Sequence, residues 1–203
     1  MILPTLDFES KLWKQGYSLV CGVDEVGRGC FAGPVVAGAV IFPVNCKLIK
    51  GVADSKLLKP KQREDLSKKI QELAVSFAVG EISVEVINEV GIGKATQLAY
   101  VEAIKKLLPP PEFILIDAFY IKEYPEQIQN PIKNGDKLCA SVSAASIIAK
   151  VYRDNLMRRL HEQFPEYNFY KHKGYGTKEH QAAIKKHGLC SLHRRSFNLK
   201  KFL

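Results

Sequence analysis

The pattern of apolar and polar positions predicts several short strands, most of them in the first 120 residues. The runs YSLVCGVD and PVVAGAVIF are separated by a glycine-containing loop, which indicates two strands lying side by side. VSFAVGEI and EFILIDAF are further apolar runs. Such runs are typical of strands buried on both faces of a sheet. One more short strand is expected in the connection 124–136.

Helical spacing dominates the segments between and after these runs. Short helices are expected within 5–16, from Val84 and near 178–187, and longer ones from Pro60, over Lys94–Leu108 and over 140–164. Two of the longer helices show an apolar side, formed by Leu98, Val101, Ile104 and Leu108 in one and by Val142, Ala145, Ala149, Tyr152, Leu156 and Leu160 in the other.

Together these elements predict an α/β fold with a hairpin-led mixed sheet and a mostly helical C-terminal third. Residues 1–16 form a polar lead-in, and 17–203 form one domain whose segment from about 160 is basic and consists of helices and loops. A length of 203 residues suits a single core of this kind.

The net charge of +9 points to a polyanionic partner, either nucleic acid or an anionic membrane surface. No apolar run reaches the ~18 residues of a membrane helix, and the start of the chain does not read as a signal peptide. The five cysteines are scattered, which favours reduced thiols in a cytoplasmic protein. Nucleic acid is therefore the expected partner, with no membrane association.

Carboxylates at the ends of apolar runs are the main candidates for chemistry. Asp24 and Glu25 end the first strand, Asp117 ends FILID, and Asp136 precedes the long C-terminal helix. Taken alone, the adjacent pair is explained by a hydrogen-bonded turn and Asp136 by a turn or cap. For Asp117 a functional and an ordinary role stay equally open, because an Asp in such a strand is unusual. If they converge, each pair at ~4 Å repels by roughly 4 kcal/mol at an effective dielectric of 20. A hard cation, Mg²⁺ or Mn²⁺, would remove that repulsion.

A basic protein with an acidic metal pocket has the charge pattern of a phosphodiester nuclease. Successive side chains of a strand point to opposite faces. If Asp24 and Glu25 both bind metal, the chain is therefore expected to leave strand geometry at or just after Asp24.

The loop GRGCFAG, residues 27–33, follows the acidic pair. Its spacing differs from the dinucleotide-binding fingerprint and lacks the Gly-Lys-Ser/Thr ending of a P-loop. Two interpretations stay open: glycines that let the backbone approach a ligand beside Arg28, or a tight turn with an exposed arginine.

Other polar residues are candidates for substrate contacts. Hydroxyls at the start of the long helix could cap it or hold a phosphate, as for Ser141, Ser143 and Ser146. Lys150 and Asp154 are spaced as a surface ion pair. The histidines show no ligand spacing and are interpreted as surface or packing residues. Several cations fit phosphate contacts: Lys56, Lys171, Lys173, Arg194 and Arg195.

Several motifs in order resemble those of ribonuclease HII, the type 2 ribonuclease H family. They are GVDEVGRG, AGPVVAGAV, ADSK, LIDAF, a Gly-Asp pair followed by SVSAASIIAKVYRD, HKGYGT and HRRSF. The resemblance covers about Tyr17 to Phe197. Only about sixteen residues precede the first strand, which favours this type over ribonuclease HIII, whose members carry an N-terminal extension.

The resemblance implies an RNase H-like fold, with a central five-stranded mixed sheet flanked by helices and a helical C-terminal segment. It implies metal binding by Asp24, Glu25, Asp117 and Asp136. It also implies recognition of the ribose 2′-OH by Gly27, Arg28 and Gly29 with Tyr175. The implied substrates are RNA/DNA hybrids and single ribonucleotides in duplex DNA. Many members carry Pro-Leu where this chain has Cys30 and Phe31.

The expected function is that of an endoribonuclease, probed against two alternatives. A non-catalytic nucleic-acid-binding module would bind with strong salt dependence and cut nothing. A DNA nuclease or integrase of similar fold would cut all-DNA duplex. The endoribonuclease is expected to use two Mg²⁺ or Mn²⁺ ions and to leave a 5′-phosphate and a 3′-hydroxyl. It is expected to be a monomer.

Overall fold

A computed structural model describes residues 3–52 and 59–203, and its centre is a five-stranded sheet with strand order β3-β2-β1-β4-β5. Four of the strands correspond to the apolar runs of the sequence, and the fifth to the short strand expected in the connection 124–136. Their bounds are Val20–Val26 (β1), Val35–Ile41 (β2), Ser76–Ile82 (β3), Phe113–Asp117 (β4) and Gln129–Ile132 (β5).

The sheet is mixed because some of its neighbouring strands pair antiparallel and others pair parallel. β1 pairs antiparallel with β2, and β2 pairs antiparallel with β3. β4 lies parallel to β1, and β5 lies parallel to β4. The predicted hairpin-led mixed sheet is confirmed.

Helices cover both faces of this sheet and form the C-terminal third. Their bounds are Asp7–Lys14 (α1), Pro60–Leu73 (α2), Val84–Lys105 (α3), Gly135–Leu138 (α4), Ala140–Gln163 (α5), Phe169–His172 (α6) and Lys178–His187 (α7). The two helical stretches expected from Val84 and from Lys94 are one element, kinked at Gly91 where φ is 78° and ψ is 157°.

The apolar side predicted for helix α3 is wrong at its two leucines, although Ile104 of that side is buried. The other core residues of this part of the helix are small or aromatic, namely Ala95, Ala99, Tyr100 and Ala103. Leu98 is 37% exposed, and Leu108 lies beyond the helix and is 80% exposed. Alanine gives a weak hydrophobic signal, but its small side chain lets a helix approach a sheet closely, so these alanines occupy the buried face.

Helix α5 covers the opposite face and is buried all round in its first half. Its close approach to β1 depends on Gly22, because a Cβ there would overlap the backbone of Ser141 and Val142. Further along, the predicted apolar stripe is wrong at one position. Tyr152 is 39% exposed, whereas the neighbouring Arg153 is fully buried.

Candidate active site

Strand pairing brings two of the predicted carboxylates side by side. The parallel register joins Val20–Val23 of β1 to Phe113–Ile116 of β4. The next residues along the two strands are Asp24 and Asp117, which therefore lie next to one another at the same sheet edge. Adjacent parallel strands end together, and such edges are where α/β proteins form their ligand crevices.

Asp24 and Glu25 point to opposite faces of the sheet. β1 stays paired with β2 through Val26, with Asp24 opposite Gly38 and Glu25 opposite Ala37. The expectation that the chain leaves strand geometry at or just after Asp24 if both carboxylates bind metal is therefore wrong. If both do bind metal, their side chains would approach it from opposite faces of β1. Asp24 faces α5 and forms a side-chain hydrogen bond with Ser146, while Glu25 faces α3.

On the α3 face, Glu25 has two partners. The Tyr100 hydroxyl donates a hydrogen bond to its Oε2, and Nη1 of Arg28 lies 3.8 Å from its Oε1. Tyr100 is 4% exposed. Burial, followed by the charge of Glu25, raises the pKa of Tyr100 well above its usual range, so the hydroxyl keeps its proton and acts as a donor.

Asp136 reaches the same sheet edge through its neighbour. β5 ends at Ile132, and Asn134 adopts a left-handed conformation (φ 61°) that starts α4. The Gly135 amide donates to Oδ1 of Asp117 at 2.7 Å. Asp136 follows directly and is 5% exposed, so a short helix places a second buried carboxylate, after Asp24, next in the chain to the glycine that bonds Asp117.

The electrostatics of Asp24 reflect this crowding. Its pKa is raised well above the ordinary value, first by burial, then by the charge of Glu25 and, more weakly, by that of Asp117. The hydrogen bond from Ser146 opposes the rise. A buried carboxylate repelled by two others is costly to keep ionised unless a cation is near.

The donor set fits a hard divalent cation in its chemistry, because all four side chains offer carboxylate oxygens. Among residues 3–52 and 59–203, no three His, Cys, Asp or Glu side chains are already grouped so that they could hold a metal ion. Magnesium usually takes only one or two carboxylates and completes its shell with water and phosphate oxygens. A closed protein cage is therefore not required here.

The glycine loop and Tyr175 are tied together by main-chain hydrogen bonds. The amides of Phe31 and Ala32 both donate to the carbonyl of Gly174, at 2.8 and 3.3 Å. Tyr175 is 38% exposed, and Nζ of Lys150 lies 5.4 Å from its ring centroid. Burial is the main cause that raises the pKa of Tyr175 to about 12. The predicted residues Gly27 to Gly29 and Tyr175 thus belong to two loops that are joined.

Two buried arginines hold these loops. Arg153 donates to the carbonyls of Pro34, Lys173 and Ala32 at 2.9 to 3.0 Å. Arg194 donates to the carbonyls of Gly33, Arg28 and Pro34 at 2.9 to 3.1 Å. Both side chains are fully buried.

The predicted phosphate contact from Arg194 is therefore wrong, and this side chain instead positions the glycine loop. Its donors are directed to main-chain carbonyls, and its burial lowers its pKa to about 10. Arg195, beside it in the chain, is exposed and stays a candidate for phosphate contact.

Three histidines lie buried beneath the Tyr175 loop. The rings of His172 and His180 stack with centroids 4.4 Å apart. Nε2 of His180 lies 3.0 Å from Nε2 of His193, and Nδ1 of His180 lies 2.9 Å from the carbonyl of Tyr175. The predicted packing role fits these three residues.

These contacts fix the positions of the imidazole protons. A carbonyl only accepts, so Nδ1 of His180 donates to Tyr175, and its Nε2 must accept from Nε2 of His193. Nδ1 of His193 in turn accepts from the Cys190 amide at 3.0 Å. Both imidazoles are thereby neutral, and burial lowers the pKa of each to about 4.

The remaining candidates differ in placement. Ser143 is fully buried and its Oγ has no hydrogen-bond partner within the described segments. The α5 N-terminus is capped by Oε1 of Glu9, which accepts from the Ser141 amide at 2.7 Å, so the predicted serine cap is wrong. Lys56 lies outside the described residues.

Lys150 and Asp154 do pair, at 2.7 Å, but their side chains are only 14% and 11% exposed. Nη1 of Arg63 lies 3.3 Å from the same carboxylate. The predicted surface pair is instead a nearly buried three-residue cluster that joins α2 to α5.

Tyr100 and Arg153 are the functional candidates that the sequence did not single out. A tyrosine within the buried face of α3 carries a hydroxyl that must find a partner in the core, which is a usable signal. Arg153 lies seven residues after Ser146, on the same side of α5. Buried arginine is rare enough that helical position alone would not have selected it.

Within the described segments, no helix combines the length and hydropathy needed to cross a bilayer.

A family model described as Ribonuclease HII matches residues 21–200. A protein named Ribonuclease HII from Chlamydia muridarum (strain MoPn / Nigg) is 50% identical over 193 residues, covering 94% of this chain and 87% of that protein. One of the same name from Dehalococcoides mccartyi (strain ATCC BAA-2266 / KCTC 15142 / 195) is 46% identical over 198 residues, covering 97% and 93%.

Solved structures share the fold. The ribonuclease H2 from Pyrococcus horikoshii OT3 matches with a TM-score of 0.71 and 25% identity, over 90% of this chain and 95% of that one. The RNase HII of a PCNA:RNase HII complex from Archaeoglobus fulgidus matches with a TM-score of 0.70 and 26% identity, over 90% and 97%. The RNase HIII of a Bst-RNase HIII complex with Mn²⁺ matches with a TM-score of 0.68 and 23% identity, over 93% and 70%.

Proposed function

The chain belongs to the ribonuclease HII family, and from this premise we propose that it cuts RNA in RNA/DNA hybrids and at single ribonucleotides in duplex DNA. It is a nuclease, and its substrates are nucleic acids. The cut would fall on the phosphodiester 5′ to a ribonucleotide and give a 5′-phosphate and a 3′-hydroxyl.

We assign the chemistry to the carboxylate cluster. Asp24, Glu25, Asp117 and Asp136 would hold two divalent cations, Mg²⁺ or Mn²⁺. When bound, such cations activate water and stabilise the charge on the phosphate and the leaving oxygen. The donors that face the carboxylates, Tyr100 and Ser146, orient them within this cluster.

The loops supply substrate selection. Gly29 has open space around its Cα, so the backbone of the Gly27–Gly29 loop can approach a ribose closely. Tyr175 offers a partly exposed ring beside it. Arg28 and Arg195 are exposed cations suited to phosphate oxygens.

The observation that carries this assignment is the meeting of two features at one sheet edge. Burial and then the charges of Glu25 and Asp117 raise the pKa of Asp24 there, and the loop that follows Asp24 and Glu25 is bonded to the Tyr175 loop. If these carboxylates were only structural, neither their proximity nor the two buried arginines that donate to the loop carbonyls would be explained.

One assay separates this function from its alternatives. The purified chain is incubated with duplex DNA containing one ribonucleotide and with all-DNA duplex of the same sequence, each with Mg²⁺, Mn²⁺ or EDTA. Metal-dependent cutting at the ribonucleotide alone is expected. Cutting of the all-DNA duplex would indicate a DNA nuclease, and salt-sensitive binding without cutting would indicate a binding module.

We further propose that the protein acts as a monomer in the cytoplasm, where its free thiols would stay reduced. Sedimentation equilibrium across a concentration series should give the mass of one chain, 22.8 kDa, throughout.

A further inference from the structure

A large cleft opens beside the carboxylate cluster, between α3 and the loop that follows β4. Its volume is about 920 Å³, near the upper end of the roughly 300–1,000 Å³ range of ligand pockets. Arg28 and Tyr100 line it, so it is continuous with the Glu25 side of the site. Its helical wall includes Leu98 and Val101, two of the residues whose spacing predicted a core face.

Two aromatic rings stand exposed on the other wall. Phe119 is 63% exposed and Tyr120 is 43% exposed, and both line the cleft. The chain reaches them through Ala118, whose φ of 67° is unusual for a residue with a Cβ. Strain of this kind persists where the surrounding structure enforces it, often beside functional sites.

Two glutamine side chains hold this loop in shape. Gln97 donates to the carbonyl of Tyr120 at 3.2 Å and accepts from the Lys122 amide at 2.9 Å. Gln129 accepts from the Ile121 amide at 2.8 Å and donates to its carbonyl at 3.0 Å. The exposed rings are therefore displayed on a loop that is ordered before any ligand arrives, which lowers the entropic cost of binding.

Positive side chains line the cleft at its end near the carboxylates and on both of its walls, and they favour binding of a polyanion. Arg28 stands at the end nearest Glu25, Lys94 lies on α3, and Lys122 lies on the aromatic loop. Glu123 and Glu126 also line the cleft, and Glu123 is paired with Lys105 at 3.8 Å. Cations interleaved with exposed aromatic rings are the combination that binds single-stranded nucleic acid.

We propose that this cleft binds unpaired nucleotides of the substrate where a strand leaves the duplex beside the cleavage site. Phe119 and Tyr120 stack on the bases, while Lys94 and Lys122 contact phosphates. The inference rests on the proposed function, because it extends the same nucleic-acid path. It predicts that a ribonucleotide near a single-stranded extension binds more tightly than one within a blunt duplex.

The test uses fluorescence anisotropy of the whole chain in EDTA, so that nothing is cut. The probes carry a ribonucleotide near one end and are of three kinds: a blunt duplex, the same duplex with an unpaired tail on one side or on the other, and each tailed duplex with abasic tail positions. The base-containing tail on one side should improve affinity at least about fivefold, since one stacked base contributes that much. The abasic tail should lose most of the gain.

Variants then locate the effect. Phe119→Ala combined with Tyr120→Ala should abolish the difference between tailed and blunt probes. The matched control Phe77→Ala removes a ring that is 41% exposed on β3 and should keep the difference. Circular dichroism and thermal unfolding confirm that each variant is folded.

Equal affinity for tailed and blunt probes, or a tail preference that survives in the double variant, would overturn the proposal. In that case an apolar peptide becomes the better occupant of the cleft. Cleavage of the blunt duplex by the unmodified chain in Mg²⁺ is scored separately. If the blunt duplex is cut but the tail has no effect on affinity, only the proposal for the cleft is rejected. If the blunt duplex is not cut, the proposed function itself is rejected.

Discussion

At the scale of residues, two of the carboxylates are held by hydroxyl groups of neighbouring helices. Ser146 bonds to Asp24 on one face of the sheet and Tyr100 bonds to Glu25 on the other. Outer partners of this kind orient metal-binding carboxylates and keep them ready for a cation. Each carboxylate is thus supported from its own side of β1.

Asp117→Asn is expected to abolish cleavage while the fold stays nearly intact. The amide keeps the size of the side chain and can still accept from Gly135, whose amide lies 2.7 Å from Oδ1, but it removes a charge. Turnover of the ribonucleotide duplex in Mg²⁺ measures the loss, and Asp65→Asn, at an exposed position of α2, is the control. Wild-type turnover in the Asp117 variant would show that the metal site is misassigned.

Tyr100→Phe should weaken metal activation by about 10- to 100-fold, the usual effect of losing an outer partner. The readout is the Mn²⁺ concentration at half-maximal activity, together with Mn²⁺ binding measured by calorimetry. Tyr152→Phe is a matched control, because its hydroxyl lies 2.8 Å from Glu81 in an exposed pair. Identical activation curves for the two variants would contradict a role for Tyr100.

At the scale of elements, the loops are held by two arginines drawn from different parts of the chain. Arg153→Lys is expected to lower the free energy of unfolding by about 2–3 kcal/mol, because the single ammonium nitrogen of lysine cannot reach three carbonyls that three different guanidinium nitrogens contact. It should also raise the KM for a ribonucleotide duplex more than it lowers kcat. Urea unfolding and steady-state kinetics test this, with exposed Arg159→Lys as control.

If Arg153→Lys lost stability but kept an unchanged KM, the arginine would serve the fold alone. A glycine is also required opposite it, because a Cβ on Gly27, where φ is 92°, would overlap the guanidinium.

The histidine cluster makes stability depend on pH in a definite direction. Folded His180 and His193 have pKa values of about 4, whereas unfolded histidine titrates near 6.5. Between these values the unfolded chain binds more protons, so stability falls as pH drops through that window. The slope is about 1.4 kcal/mol per pH unit for each histidine that stays neutral.

Urea unfolding at several pH values between 7 and 5 should reveal this slope. His193→Gln should reduce it, whereas exposed His187→Gln should leave it unchanged. The charged neighbours Lys171, Lys173 and Glu179 also act on His172, whose pKa is lowered mainly by burial. A slope unaffected by His193→Gln would mean that other groups set the acid sensitivity.

At the scale of the whole molecule, a chain with a net charge of +9 carries a site made of carboxylates. Binding to a ribonucleotide duplex in EDTA should weaken steeply with salt, with each phosphate contact contributing about 0.9 to the slope of log K against log salt. Arg195→Ala should reduce that slope by about 1. Lys61→Ala, at a residue paired with Asp65 at 3.2 Å, should not.

The sequence allowed prediction of the sheet and of its carboxylates for physical reasons. Buried strands need continuous apolar runs, and a charge that interrupts or ends such a run is conspicuous. Asp24, Glu25 and Asp117 were found in this way, and the structure places them together at one edge.

The remaining features depend on tertiary contacts. Arg153 and Tyr100 acquire their roles from partners far along the chain, and no local pattern marks those partners. The histidine cluster joins residues separated by up to 21 positions, from His172 to His193. The alanines on the buried face of α3 were missed because leucines give the stronger hydrophobic signal, whereas small side chains let the helix lie close to the sheet.

Gly22 gives that closeness a consequence for engineering. It lies two residues before Asp24 on the same face of β1, and α5 rests directly on it. A serine side chain is short, so Ser146 reaches Asp24 only while the helix stays this near. Gly22 therefore sets the distance between α5 and β1. Any larger residue engineered there would push the helix away from the strand and break the hydrogen bond between Ser146 and Asp24, although the new side chain would not contact Asp24 itself.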